Sequence, residues 1–182
     1  MDAQMKRVLA TLVQELDDQK ISFAVGSSVL LHLLGLEPEP GDIDLFFPAV
    51  EHRRVKAYFE SRGELVAPQP QEPYRTGFFY TVCLDGVQVD LIGHFGVCRE
   101  GRVYRLAWEK PRRIDWEGLS VPVLSLESWL VFYHLMDRPA RARRVRLHLA
   151  EQGVRRRDLL ERALDGPLPA DCRRDIERLL KV

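Results

Sequence analysis

The chain predicts an α+β fold: a mixed sheet flanked by helices, followed by a C-terminal helical region. Three observations carry that expectation. Short apolar runs at 21–25, 43–47, 77–84 and 87–92, bounded by Gly, Pro and Asp, read as strands. Stretches with apolar residues at helical spacing lie before and between the first of these runs. From Ser125 onward the strand character stops and four helical segments follow. The change near Leu124 divides the chain into an α/β unit of residues 1–124 and a helical unit of residues 125–182 packed on it.

Met5 to Gln19 places Val8, Leu9, Leu12, Val13 and Leu16 on one face, which predicts an amphipathic opening helix. Ile21 to Val25 is the first strand, and Gly26-Ser27-Ser28 turns it into Val29–Leu34, a helix apolar almost all round and therefore buried. Ser27 and Ser28 are both suitable N-caps. Gly35 ends the helix, and Glu37-Pro38-Glu39-Pro40-Gly41 keeps the connection from being helical. Ile43 to Phe47 is the second strand, ended by Pro48, and Glu51 to Ser61 a surface helix with Val55, Tyr58 and Phe59 inward. Glu64 to Val66 makes a short strand, and Ala67 to Thr76 a Pro- and Gln-containing loop.

Asp85-Gly86 joins the strands Gly77–Leu84 and Val87–Ile92 as a hairpin. One strand is expected around Val103 to Trp108, and an edge strand or two in Ile114 to Val123. Helices are expected over 126–136, 140–152, 156–164 and 170–180, with Pro139, Gly153 and Gly166-Pro167 as punctuation. Trp108, Trp116 and Trp129 read as packing residues.

With 46% hydrophobic and 30% charged residues, the chain has the composition of a soluble globular protein long enough to bury a core. Lys plus Arg equals Asp plus Glu at 27 each, so bulk charge selects no partner. Eight arginines between Arg138 and Arg157 crowd one region, a patch able to attract RNA, another anion or a protein partner, or simply to be a solvated face. Cys83, Cys98 and Cys172 form no disulfide framework or zinc spacing and fit a reducing cytoplasm. No basic-then-apolar N-terminal segment and no membrane-spanning apolar run is present.

The chemistry concentrates in the acids. In an extended segment Asp42 and Asp44 project to one side, about 7 Å apart, while Ile43, Leu45 and Phe47 project to the other. Nothing local neutralises the pair. Asp90 lies on the polar face of a later strand, free to meet them. Carboxylates at i and i+2 suit a hard cation such as Mg²⁺, which keeps positions for phosphate oxygens. A third carboxylate can hold a second metal or accept a proton.

Gly26-Ser27, then a leucine-rich helix, then Asp42-Ile43-Asp44-Leu45, then Val89-Asp90-Leu91-Ile92, resembles the nucleotidyltransferase superfamily. That superfamily includes DNA polymerase beta, the aminoglycoside and lincosamide nucleotidyltransferases, and the minimal enzymes of toxin–antitoxin systems. The matching region runs from about Ile21 to Ile92. The resemblance implies a nucleotidyltransferase-like mixed sheet and transfer of a nucleoside monophosphate from an NTP, ATP among the choices, to an acceptor hydroxyl on a small molecule, protein or RNA. It implies Asp42, Asp44 and Asp90 as catalytic metal ligands for Mg²⁺ in a two-metal site, with Gly26 and Ser27 as phosphate contacts. Many toxin-like relatives carry a lysine in the helix after the last strand. Here Trp129–His134 has none, which leaves His134 or a downstream arginine for the role, or a nucleotide- or protein-binding partner with little catalysis. Tyr74 and Arg75 are candidates to close over nucleotide, His94 to contact substrate or lie in a surface turn, and Arg75 alternatively to pair with Asp90.

Overall fold

The computed structural model describes residues 1–37 and 39–181; Pro38, in the connection expected to be non-helical, lies outside them. Helix α1 (Ala3–Asp18) starts at Asp2, whose carboxylate accepts from the Gln4 and Met5 amides, and it buries Met5, Val8, Leu9, Leu12, Val13 and Leu16. Strand β1 (Ala24–Val25) leads into α2 (Ser27–Leu33). Strand β2 (Ile43–Phe47) is followed by a 3-10 turn (Ala49–Glu51) and α3 (His52–Glu60). The strands β3 (Phe78–Leu84), β4 (Val87–Gly93), β5 (Gly96–Arg99), β6 (Arg102–Arg105), β7 (Arg112–Trp116) and β8 (Leu119–Val123) follow. Then come α4 (Leu126–Leu135), α5 (Pro139–Gln152), α6 (Arg157–Leu164) and α7 (Ala170–Leu180).

Six strands form one mixed sheet in the order β3-β4-β2-β1-β8-β7, and β5 and β6 form a separate hairpin. β2 runs parallel to β4 with Asp44 opposite Asp90 and Phe46 opposite Ile92. β3 runs antiparallel to β4 with Thr81 opposite Asp90 and Phe79 opposite Ile92. This register lays a polar row, Thr81–Asp90–Asp44, beside an apolar row, Phe79–Ile92–Phe46, on one face. The side chains of Ile43, Leu45, Val89 and Leu91 are fully buried, as alternation requires of the opposite face.

Four expectations need correction. β1 is only two residues long: Ile21 and Phe23 are buried without joining the ladder. The stretch 64–66 contributes one bridge, Val66 to Thr81, rather than a strand. Before Trp108 stand two strands, not one, joined through Glu100 and Gly101. Of the pair in 112–123, β7 is the edge, whereas β8 is internal and parallel to β1.

The three hairpin turns share one chemistry. Asp85-Gly86, Glu100-Gly101 and Glu117-Gly118 each place an acid at φ between 48° and 51° and a glycine at φ between 74° and 80°. That geometry is the two-residue turn whose twist suits flanking antiparallel strands. Among the described residues no helix is long and apolar enough to cross a membrane.

Candidate active site

The ends of β1 and β2, the face of β4 and β3, and helices α2, α4 and α5 enclose a cleft of about 420 Å³. Asp42, Asp44, Asp90, Ser27, Ser28, Tyr74, Trp129, Tyr133, Arg138 and Arg141 line it. Asp42 stands just before β2 and Asp44 within it, and the parallel register sets Asp90 beside Asp44. One oxygen from each of the three carboxylates can be chosen so that all lie within 4.8 Å of one another. Among the described residues this is the only group of three or more such side chains close enough to hold a metal ion.

The electrostatics of this cluster are unfavourable as it stands. None of the three acids forms an ion pair with a described residue. Two carboxylates about 4 Å apart repel by about 4 kcal/mol at the effective dielectric of a protein. Asp44 keeps a narrow opening to the cleft but its carboxyl is otherwise enclosed by protein. Burial first, then the charges of Asp42 and Asp90, push its pKa up to about 7 against the opposing pull of Ser27 and Arg141. Asp90 is buried, and that burial raises its pKa although hydrogen bonds oppose it. Thr81 Oγ1 donates at 2.8 Å and Gln88 Nε2 at 3.1 Å, both to Oδ1 of Asp90. Oδ2 therefore accepts nothing from the described side chains and remains for another ligand.

These residues fit a divalent cation. Three hard oxygen donors converge, their mutual repulsion is only partly offset by Ser27 and Arg141, and one oxygen of Asp90 is held while the other is left over.

Gly26 and Ser27 close the cleft at the β1–α2 turn. A Cβ at Gly26 would stand 2.7 Å from Phe46 Cε2 and from Trp129 Cζ2, so ring packing already requires glycine there. The Gly26 amide donates to the Asp44 carbonyl at 3.3 Å, tying the turn to the acidic strand. Ser27 has φ of 52°, a left-handed conformation that costs of order 1 kcal/mol in a residue with a Cβ. It begins α2, whose first amides have no acceptor within the helix.

Several expected neighbours lie elsewhere. His134 does not reach the cleft: it pairs with Asp171 at 3.1 Å and Asp175 at 3.2 Å on α7. Arg75 pairs with Glu72 rather than Asp90. His94 is exposed in a turn at φ of 50°. Tyr74 does line the cleft, held by a bridge to Val97.

The cation beside the acids is Arg141 from α5. Its Nε donates to Glu37 Oε1 at 2.9 Å, and its guanidinium sits 5.8 Å from the Tyr133 ring centre. Sequence reasoning placed Arg141 only within the group of eight arginines, singled out Arg75 instead, and missed Thr81, Gln88 and Tyr133. Thr81 was open to inference, because the Asp85-Gly86 turn fixes it opposite Asp90. Arg141 and Tyr133 carry no such local signal.

No protein-family model matches the chain, and no curated protein sequence does. Solved structures match it in fold. A Thermotoga maritima protein, TM1012, provisionally designated a nucleotidyltransferase, superposes with a TM-score of 0.64 at 24% identity over 80% of this chain and 92% of its own. The antibiotic-resistance factor ANT(2")-Ia, in complex with adenylyl-2"-tobramycin, gives 0.57 at 15% identity over 83% and 92%. The lincosamide antibiotic adenylyltransferase LnuA, with lincomycin bound, gives 0.55 at 13% identity over 77% and 95%. The chain has the nucleotidyltransferase fold.

Proposed function

We propose that the protein is a metal-dependent nucleotidyltransferase that moves a nucleoside monophosphate from an NTP to an acceptor hydroxyl. The observation that carries this reading is the convergence of Asp42, Asp44 and Asp90 within 4.8 Å, without a cationic partner, in the wall of a nucleotide-sized cleft. When bound, Mg²⁺ would supply charge neutralisation for the phosphates and acids and polarise the α-phosphoryl group, and Asp42, Asp44 and Asp90 are the residues that would hold one or two such ions.

The residues of the chain do the rest. Asp42 and Asp44 hold the cation, and residues 1–124 supply this acidic sheet. Ser27 and the first amides of α2 face the β- and γ-phosphates. Asp90, steadied at Oδ1 by Thr81 and Gln88, takes the acceptor's proton at Oδ2. The acceptor oxygen bonds to the α-phosphorus as the bond to the bridging oxygen breaks, and pyrophosphate leaves. Residues 125–182 provide the opposite wall through α4 and α5. Adenylyl transfer to small hydroxyl compounds, named for two fold relatives, makes ATP and a small-molecule acceptor the first pair to try. Three free cysteines suit a cytoplasmic setting.

One observation favours a second reading: Arg141 is already engaged by Glu37, as expected of a protein that binds nucleotide with little turnover. The test is calorimetric binding of the four NTPs with and without Mg²⁺, to wild type and to the Asp42→Ala/Asp44→Ala double variant. Expected is binding that requires the metal and falls at least about a hundredfold in the double variant, with α-labelled nucleotide passed to an acceptor. Equal binding by the double variant would overturn the site. Tight binding with no transfer to any acceptor would select the second reading.

A further inference from the structure

Three polar side chains under the cleft's helical wall have no hydrogen-bond partner among the described residues: Ser28 Oγ, Trp129 Nε1 and Tyr133 Oη. All three residues line the cleft and are at least nine-tenths buried, with exposures of 6%, 3% and 1%. A buried polar group left unpaired costs about 1–3 kcal/mol, so three on one wall call for an explanation. The surrounding rings do not provide one. Trp129 packs edge-on against Phe46 at 5.4 Å and beside Tyr133 at 5.1 Å, contacts that a phenylalanine would make as well. Ser27 lies close enough to Tyr133 to lower its pKa as a hydrogen-bonding neighbour does, yet among the described residues no oxygen or nitrogen, Ser27's included, meets full hydrogen-bond geometry at the phenol.

What the three share is the ability to donate. An indole N–H only donates, and a phenol and a serine hydroxyl both can. A ligand matching three donors on one wall is rich in acceptor oxygens. Above them lies Arg141, its guanidinium over the Tyr133 ring and its Nε held by Glu37. Glu37 Oε1 is shared between Arg141 at 2.9 Å and Arg144 at 3.1 Å, while its buried Oε2 has no partner among the described residues. The carboxylate thus occupies Arg141 as a phosphate would, and with half of its acceptors idle.

We propose that Tyr133, Trp129 and Ser28 form the polyphosphate-binding wall of the cleft, with Arg141 as its cover, turning from Glu37 to the phosphates when they enter. This rests on the nucleotidyl-transfer reading and names neutral donors, in place of a lysine, as the groups that hold the triphosphate. The phenol remains protonated for the task, because burial holds its pKa above the usual tyrosine range.

The test uses Tyr133→Phe and Ser28→Ala, each removing one hydroxyl with almost no change of shape. Binding of inorganic tripolyphosphate and of NTPs, both with Mg²⁺, is measured by calorimetry beside the thermal midpoint without ligand. Expected is an affinity loss of about tenfold for each variant toward both ligands, with a ligand-free midpoint equal to or above wild type. Unchanged tripolyphosphate affinity in both variants, with wild type still binding NTP, overturns the wall and leaves the transferase reading intact. A loss confined to NTP and absent for tripolyphosphate also overturns it, since the donors would then face the nucleoside. Failure of wild type to bind either ligand removes both readings. Should Tyr133→Phe fold poorly, Ser28→Ala decides alone.

Discussion

The acidic face of the sheet and the arginine-rich helices treat charge in opposite ways. On the helices, charges find partners. Arg141 and Arg144 share Glu37, Arg146 pairs with Asp175, and Arg156 pairs with Glu109 and Asp158. His134 sits between Asp171 and Asp175. Buried Glu127 receives the amides of Arg155 at 2.9 Å and Arg156 at 3.0 Å, fixing the start of α6 from α4. On β2 and β4 the acids form no ion pair among the described residues: Asp90 is held by a hydroxyl and an amide, and Arg141 beside Asp44 is bonded to Glu37 instead. The contrast teaches that charge density by itself says little about function. Charge left without a counterion, at an energetic cost, marks the candidate site, and charge that is compensated marks the scaffold.

The comparison can be broken most sharply at Asp44. Its folded-state pKa is raised, so the protonated form is favoured by folding. The associated stability is fully present below about pH 4 and is lost as pH rises through about 7. The shift from 3.8 to about 7 corresponds to a loss of up to about 4 kcal/mol. Denaturant melts in a chelator should therefore show falling stability between pH 4 and 8. Asp44→Asn should flatten that dependence and be the more stable protein at pH 8. A wild-type profile that is flat over this range would show that the acids are compensated after all.

Glu127 tests the scaffold side of the contrast. Glu127→Ala removes a buried acceptor of two amides and should cost about 2–3 kcal/mol in urea unfolding, with Mg²⁺–NTP affinity within about twofold of wild type. A larger affinity change would make this acid part of the site. The smallest effect is expected at Arg162, whose side chain is 61% exposed and only 3.9 Å from Asp158 and 4.0 Å from Glu109. Arg162→Ala should change stability by less than about 0.5 kcal/mol, and a drop above about 1 kcal/mol would show the helical ion pairs to be cooperative.

How much was legible in the sequence follows from the range of the forces involved. The hairpin β3–β4, the i and i+2 acids and the amphipathic face of α1 are local patterns, and each stands where its pattern puts it. The Glu100-Gly101 turn performs the same service as Asp85-Gly86 but is a weaker signal, and β5 was missed with it. His134 was a candidate because it is basic and near the expected phosphates. Asp171 and Asp175, one helical turn apart on α7, hold it away, and only the packing of α7 on α4 brings them to it. Tyr133 and Trp129 look like core aromatics because most of their surface is core; the unpaired atoms that set them apart emerge only from tertiary placement. Arg141 is one of many arginines until Glu37 and Asp44 surround it.

The register that sets Asp44 beside Asp90 has an implication for quality control. The two strands are far apart in the chain and parallel, so no turn holds them together, and their adjacency exists only once the intervening helix and hairpin have been threaded into place. A segment that lacks either β2 or β4 carries an incomplete set of acids. A copy in which β2 and β4 are not paired therefore lacks the convergence of acids on which the proposed cation binding depends.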